Sequence, residues 1–304
     1  MNDSRKRWLP LALILLLGVL AIVNAERRRI ATQPSPQALL SAAADAQHEL
    51  TRIPAHFDVL SDADEIAAGN QLAAHYAAVF ARSNPTPAQT ASDQAIAAYL
   101  ERIGLRSAAH ARRQLPWHFH YIPDPNLINA FALPGGHIFV GEGLLRLMQS
   151  EDALAGVLGH EVTHVDLRHC AERVQLEAHE RHLSDAAGPL GSLASIPVEV
   201  FVAGYSKEQE LEADRDGTTL AVQAGYSPQG ILQLFAEFAK LEAQFASASP
   251  HTNPLDETLH LSLATLSGYF ASHPPAAERI QQVEALIAAN HWPSPPLRPL
   301  RLPI

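Results

Sequence analysis

A single cysteine, Cys170, stands among 304 residues, so no intrachain disulfide can form. The fold must therefore rest on a packed core, and 47% hydrophobic with 18% charged residues is an ordinary supply for one. One free thiol suits either a cytosolic protein or an exported one large enough to fold without cross-links. Excess positive charge is also missing. A net charge of -10 and a pI near 5.9 leave no basic face for a polyanion, which excludes a nucleic-acid partner. Internal repeats are absent as well.

The basic residues that do cluster sit at the extreme N-terminus. Arg5, Lys6 and Arg7 precede an apolar run from Trp8 to Val23, and Arg27, Arg28 and Arg29 follow it. The run is shorter than the roughly 20 residues of a spanning helix and near the roughly 7 to 15 of a signal-peptide core. It has no polar face, so it is not a buried core helix. Val23, Asn24 and Ala25 offer small residues for cleavage, while the arginine triplet equally suits an uncleaved anchor. Residues 1–30 are thus a signal peptide or an N-terminal membrane anchor.

Residues 31–60, rich in Ala, Gln, Pro and Ser, form a linker or pro-region, and the folded domain spans 61–290. Apolar spacing predicts helices over Asp62 to Ala81 and Gln94 to Ile103, parted by the breaker around Pro85 and Pro87. Strands are expected at Trp117 to Ile122, Ile128 to Leu133 and Ile138 to Val140, joined by turns into a small antiparallel sheet. Ser150 is an N-cap for a long helix running into the 170s, with Glu151 and Asp152 complementing its dipole. Small residues break the chain at Gly188 to Pro197, and a Ser206–Gln209 capping box opens a helix that ends at Gly225. A helix from Ser227 and Pro228 to about Ala243, a polar loop over 246–258 and a helix over Ala276 to Ala289 complete the domain. The Pro-rich tail, 291–304, is disordered or draped on the surface. The fold class is α+β, mostly helical.

His160-Glu161-Val162-Thr163-His164 reads H-E-x-x-H within the long helix. On a helix, positions 160 and 164 lie about 40° apart and one turn apart in height, so both imidazoles can reach one metal ion. Glu161 lies about 100° round from His160, beside the metal, where it can take a proton from water. Leu154, Val157, Leu158, Val162 and Val165 bury the helix, a context that a chance match among 16 histidines would lack. His169 and Cys170 lie at least a turn beyond His164 and should not share the metal; they are packing or outer-layer residues. His179 to His182 has the wrong spacing for a metal and reads as a solvated helix end.

Two histidines leave a catalytic zinc one protein ligand short, and a second helix must supply it. Glu210 and Asp214 are one turn apart, suiting a ligand and a carboxylate that orients a ligand histidine. Glu208 and Glu212 compete for the ligand role, and a merely solvated acidic face has the same spacing.

These residues resemble the gluzincin family of membrane-linked zinc endopeptidases that comprises the CAAX prenyl protease, HtpX, Oma-type and BepA-type enzymes. Asn129 to Gly136 is similar to the family's N-A-F-x-x-P-G-G segment, and Glu151 to His164 to its E-x-E-L-A-x-V-L-x-H-E-x-x-H. Tyr205 and Ser206 with Glu210 to Asp214 and Gly217 resemble S-x-x-x-E-x-E-A-D-x-x-G; Ser272 to Pro275 with Glu278, Arg279 and Ile280 resembles T-H-P-P-x-x-E-R-I. The four motifs cover roughly residues 65 to 285.

The resemblance implies a zincin-like metallopeptidase domain binding one Zn2+ through His160, His164 and Glu210, with Asp214 behind the ligands. It makes Glu161 and His273 catalytic, His273 either blocking the site or stabilising the oxyanion. It also implies that an extended substrate adds to the strand containing Asn129, Ala130 and Phe131. Misfolded or unassembled envelope proteins become the substrates, and the periplasm, or the inner membrane facing it, the location. The single apolar segment and the lack of a C-terminal repeat domain depart from the prenyl-protease and BepA patterns respectively. Two other functions share these features: a chaperone that holds clients in the groove without cutting, and a metal hydrolase acting on a non-peptide substrate.

Overall fold

The structure, a computed structural model, describes residues 60–83, 90–180, 196, 199–202, 204–247 and 273–303. The N-terminal apolar run, the linker up to 59, most of the break at 188–197 and most of the loop at 246–258 lie outside the described residues. No helix among the described residues is long and apolar enough to cross a membrane.

Helices α1 (Asp62–Ser83) and α2 (Ala91–Ala108) precede strands β1 (His118–Ile122), β2 (Ala130–Leu133) and β3 (His137–Gly141). Then come α3 (Glu142–Leu147), α4 (Glu151–Asp166), α5 (His169–Glu180) and the short α6 (Glu199–Val202). Helices α7 (Lys207–Gln223), α8 (Gln229–Ser247) and α9 (Ala276–Asn290) follow. Local chemistry sets several of these starts. Ser150 Oγ accepts from Ala153 N–H at 3.1 Å. Thr90–Asp93 and Ser206–Gln209 each form a reciprocal capping box that satisfies two otherwise orphaned backbone donors.

The sheet is mixed rather than antiparallel: its order is β1-β3-β2, with β1 parallel and β2 antiparallel to β3. The Pro123 to Pro125 turn does not close a hairpin, because Asp124 O accepts from Leu127 and Gly143 instead. The chain therefore passes beyond β1, and β3 returns between its predecessors. Strand alternation divides the core. Phe119, Tyr121, Ala130, Ala132, Ile138 and Val140 join the core that contains α2 and α4, whereas Ile122, Phe131, Leu133 and Phe139 join the core with Leu72 and Tyr76 of α1.

The long helix expected from Ser150 into the 170s is two helices. It stops at Asp166, and Arg168 adopts a positive φ of 66° before α5 begins. Tertiary bonds hold this elbow. Asp166 accepts from the backbone N–H groups of Arg112 (3.1 Å) and Arg113 (2.8 Å). The fully buried Glu65 carboxylate pairs with Arg113 at 2.5 Å and Arg168 at 3.1 Å, joining α1 to the end of α4. At the other end of α4, residues 291–303 run alongside: Arg298 N–H donates to Asp152 Oδ2 at 2.6 Å, and Glu151 N–H to Arg298 O at 2.8 Å.

Helices α4 and α7 meet backbone to backbone. A Cβ on Gly217 would lie 2.5 Å from His160 N, and one on Gly159 would strike Gly217 O. Gly217→Ala is expected to cost about 1 to 3 kcal/mol of stability, because neither backbone can yield without moving its helix. Urea denaturation measures this, and an unchanged midpoint would show the contact to be slack.

On the α1 side of the sheet, His137 Nε2 meets Asn70 Oδ1 at 2.9 Å and His137 Nδ1 meets His120 Nε2 at 3.0 Å. The amide oxygen can only accept, so His137 carries its proton on Nε2 and His120 donates to it. Burial, reinforced by the neighbouring histidines, pushes both His120 and His137 down to about 4. The unfolded chain protonates these rings from about pH 6.5 downward, so their contribution to stability is lost as pH falls from there toward 4. Stability should therefore fall less steeply over that range in His120→Gln than in wild type; equal slopes in urea titrations would exclude the pair as a cause.

Candidate active site

The α4–α7 contact brings two polar faces together inside the core. His160 and His164 project from α4, and Glu210 and Asp214 from α7, all four buried. His160 Nε2 and His164 Nε2 are 3.1 Å apart. Glu210 Oε2 lies 3.5 Å from His160 Nε2, and Glu210 Oε1 3.7 Å from His164 Nε2.

The outward nitrogens define the tautomers. His160 Nδ1 faces Asp214 Oδ1 at 2.9 Å and must carry a proton to bond that carboxylate. Burial and nearby positive charge hold His164 well below its ordinary pKa, so it is neutral. With its proton on Nδ1, facing His169 Nδ1 at 2.9 Å, its Nε2 presents a lone pair. Burial would lower His160, but Asp214 and Glu210 outweigh it and push that ring up to about 10, so the point where both Nε2 atoms and the Glu210 carboxylate converge is balanced by a proton on His160 or by a cation in its place. Donor atoms at zinc-like bond lengths on a tetrahedral ion would be about 3.3 Å apart, close to the spacings found here. Glu210 Oε2 also makes no hydrogen bond among the described residues. His160, His164 and Glu210 could therefore hold a metal ion, and they form the one such group among the described residues. Glu212 instead approaches His169 at 3.6 Å, and Glu208 is exposed, so neither competes.

Glu161 is buried, and its Oε2 also lacks a hydrogen-bond partner among the described residues. Burial pushes its carboxyl up to about 7. It lines a cavity with His160, His273, Arg279, Asn129 and Ala130. His273 Nε2 lies 3.4 Å from Glu210 Oε2, outside the three-residue metal group. Burial alone would raise Glu210, but His273 and His160 outweigh it and hold that carboxyl down at about 2.

The strand expected to receive substrate reaches the cavity only in part. Phe131 points to the opposite side of the sheet and stacks on Phe139, with ring centroids 5.0 Å apart. Gly141 N–H donates to Asn129 O, so in an antiparallel ladder the backbone groups of Ala130 and Ala132 face the outer edge. Asn129 Oδ1 already accepts from Ala130 N–H at 2.9 Å, and Cys170 Sγ lies 3.6 Å from Ala132 O.

Arg279 and Tyr205 had no assigned part in the sequence-based site, and His169 was expected only as a packing or outer-layer residue. Arg279 grips both Asp214 oxygens, at 2.7 and 2.6 Å, and outweighs the burial that would otherwise raise this carboxyl. Its place in the E-R-I motif was the available signal. Tyr205 donates its backbone N–H to Glu210 Oε1 at 3.0 Å and stacks its ring on His164 with centroids 4.1 Å apart. His169, beyond reach of a shared metal, contacts His164 directly.

Comparison with known proteins gives this arrangement a lineage. Over 195 residues the chain is 32% identical to the mitochondrial metalloendopeptidase OMA1 of Schizosaccharomyces pombe, covering 61% of this chain and 51% of that protein. It is 30% identical over 187 residues to the beta-barrel assembly-enhancing protease of Escherichia coli, covering 55% and 38%. The mitochondrial metalloendopeptidase OMA1 of Bos taurus is 30% identical over 193 residues, covering 57% and 33%. The chain thus spans about half or less of the length of these relatives. The model of peptidase family M48 matches residues 94–287, a stretch that runs from α2 through both site helices to α9. With well over half of the sequence matched and the H-E-x-x-H helix inside the match, the chain belongs to peptidase family M48.

Proposed function

We propose that this chain is a zinc-dependent endopeptidase that hydrolyses unfolded or unassembled proteins of the cell envelope. The observation that carries the proposal is the convergence of His160 Nε2, His164 Nε2 and Glu210 beside a buried carboxylate, Glu161, whose Oε2 makes no hydrogen bond among the described residues. Two imidazoles and one carboxylate with an open side suit a catalytic zinc. Such an ion supplies Lewis acidity toward the scissile carbonyl and acidifies water.

The chain's own residues do the rest. Glu161 accepts the proton of the attacking water and returns it to the leaving amine; a carboxyl held near neutrality is suited to both transfers. His160 and His164 keep their Nδ1 protons throughout, so they neither donate nor accept during the reaction. His273, on the cavity wall, stabilises the developing oxyanion or blocks the site until substrate arrives. An extended substrate runs past Asn129 and Ala130, its carbonyl displacing Asn129 Oδ1 from Ala130 N–H. Phe131, behind the sheet, shapes the strand without touching substrate. The names of the bacterial relatives support an envelope setting, and the N-terminal apolar run supports export or membrane association, with the catalytic domain in the periplasm.

The decisive experiment is zinc-loaded protein acting on casein. Glu161→Gln should lower the rate at least about 100-fold while zinc content stays at one per chain. Cleavage at the wild-type rate by Glu161→Gln would overturn the role of Glu161 as general base, and zinc binding with no cleavage by any variant would overturn the peptidase assignment in favour of client holding. In the same assay His273→Ala distinguishes its two roles: a gain marks a block, a loss marks oxyanion stabilisation. Removing zinc with a chelator should abolish cleavage, and zinc alone should restore it; persistence of activity would count against a metal mechanism.

A further inference from the structure

The two histidines of the metal group are supported from behind in different ways. His160 leans on a carboxylate, Asp214, which Arg279 clamps within the core. His164 leans on another imidazole. We infer that His169 is the positioning residue for His164, accepting its Nδ1 proton and thereby aiming its Nε2 at the point shared with His160 and Glu210. The inference rests on the metal-centre reading proposed above and extends it to a residue outside the H-E-x-x-H motif.

The proton positions follow from the geometry. If His164 Nε2 is to present a lone pair to a metal, its single proton is on Nδ1, 2.9 Å from His169 Nδ1. His169 must then be unprotonated at Nδ1 and carry its proton on Nε2. That nitrogen lies 3.6 Å from Glu212 Oε2, which completes a run from His164 through His169 to a carboxylate. His169 is buried, at 4% exposure, so this run replaces water as the partner of the His164 ring.

Tertiary structure alone makes the contact available. Position 169 lies about 180° around an unbroken helix from His160 and more than a turn beyond His164. The elbow at Arg168, with its φ of 66°, restarts the helix at His169 and returns that ring to His164. Stacking by Tyr205 restrains tilting of the His164 ring about its Cβ–Cγ bond. The Nδ1 bond fixes which ring nitrogen faces His169 and which faces the point shared with His160 and Glu210. Glu212, which is not a ligand, thereby gains a part as the negative charge facing the far nitrogen of His169.

The test is zinc affinity of the full chain, measured by competition with a chromophoric chelator, with the melting temperature of the metal-free protein recorded for every variant. His169→Ala should weaken zinc binding about 10- to 100-fold, the loss typical when a ligand histidine loses its supporting partner. His169→Asn should recover most of that loss, because its Oδ1 stands where Nδ1 stood and accepts the same proton. A packing role predicts instead that affinity follows metal-free stability and that Asn does no better than Ala. That result, or wild-type affinity in His169→Ala, overturns the inference. Should His169→Ala not fold, Glu212→Ala tests the far end of the run: several-fold weaker zinc binding supports the inference and unchanged binding overturns it. Wild-type protein that binds no zinc at all would sink the metal-centre reading and this inference with it, a result distinct from every variant-specific outcome.

Discussion

Gly159 of α4 and Gly217 of α7 face one another with no room for a side chain on either, and the site depends on that closeness. Residues 160 and 164 are one turn apart on α4, and residues 210 and 214 one turn apart on α7. With ordinary side chains between the helices, axes would stand about 8 to 10 Å apart or more, and the four side chains would meet poorly. Removing the side chains at the crossing lets Asp214 bond His160 while Glu210 reaches the space between the two histidines.

Burial at this crossing makes every polar atom costly unless it is matched. The structure meets that demand by pairing outward from the centre: His160 to Asp214 to Arg279, His164 to His169 to Glu212, and Glu210 Oε1 to the Tyr205 backbone. Among the described residues, two carboxylate atoms there make no hydrogen bond, Glu161 Oε2 and Glu210 Oε2. Both belong to residues whose proposed parts are chemical rather than architectural. A fold that satisfies the surroundings of a site and leaves these atoms open is arranged for a ligand to complete it.

The outer framework protects this arrangement mechanically. The Ser150 cap and the segment around Arg298 hold one end of α4, and Asp166 with the Glu65–Arg113–Arg168 cluster holds the other. The cluster is anchored on α1, far away in sequence. A buried charged group of this kind is weak evidence for stability on its own, but removing one partner would leave an uncompensated charge beside the site helix.

Much of this was legible in the sequence, because the signals involved are local. Apolar spacing and caps placed α1, α2, α4, α7, α8 and α9, since a capping box such as Ser206 with Gln209 acts within one turn. The i, i+4 spacing of His160 and His164 follows from helix geometry alone, as does that of Glu210 and Asp214. Strand order did not follow, because pairing β1 with β3 rather than β2 is decided by what packs on the two sheet faces. Nor did the break at Asp166, where Asp166 binds a loop more than 50 residues upstream and Arg168 binds α1. The orientation of Phe131 away from the cavity and the roles of Arg279 and Tyr205 were likewise set by the tertiary packing, and that of His169 by the elbow at Arg168 that turns it back onto His164. The sequence by itself determined which residues carry the chemistry, since turn-length periodicity writes them side by side. Only the tertiary structure decided which groups hold them in place, because those bonds join segments whose distance along the chain bears no relation to their distance in space.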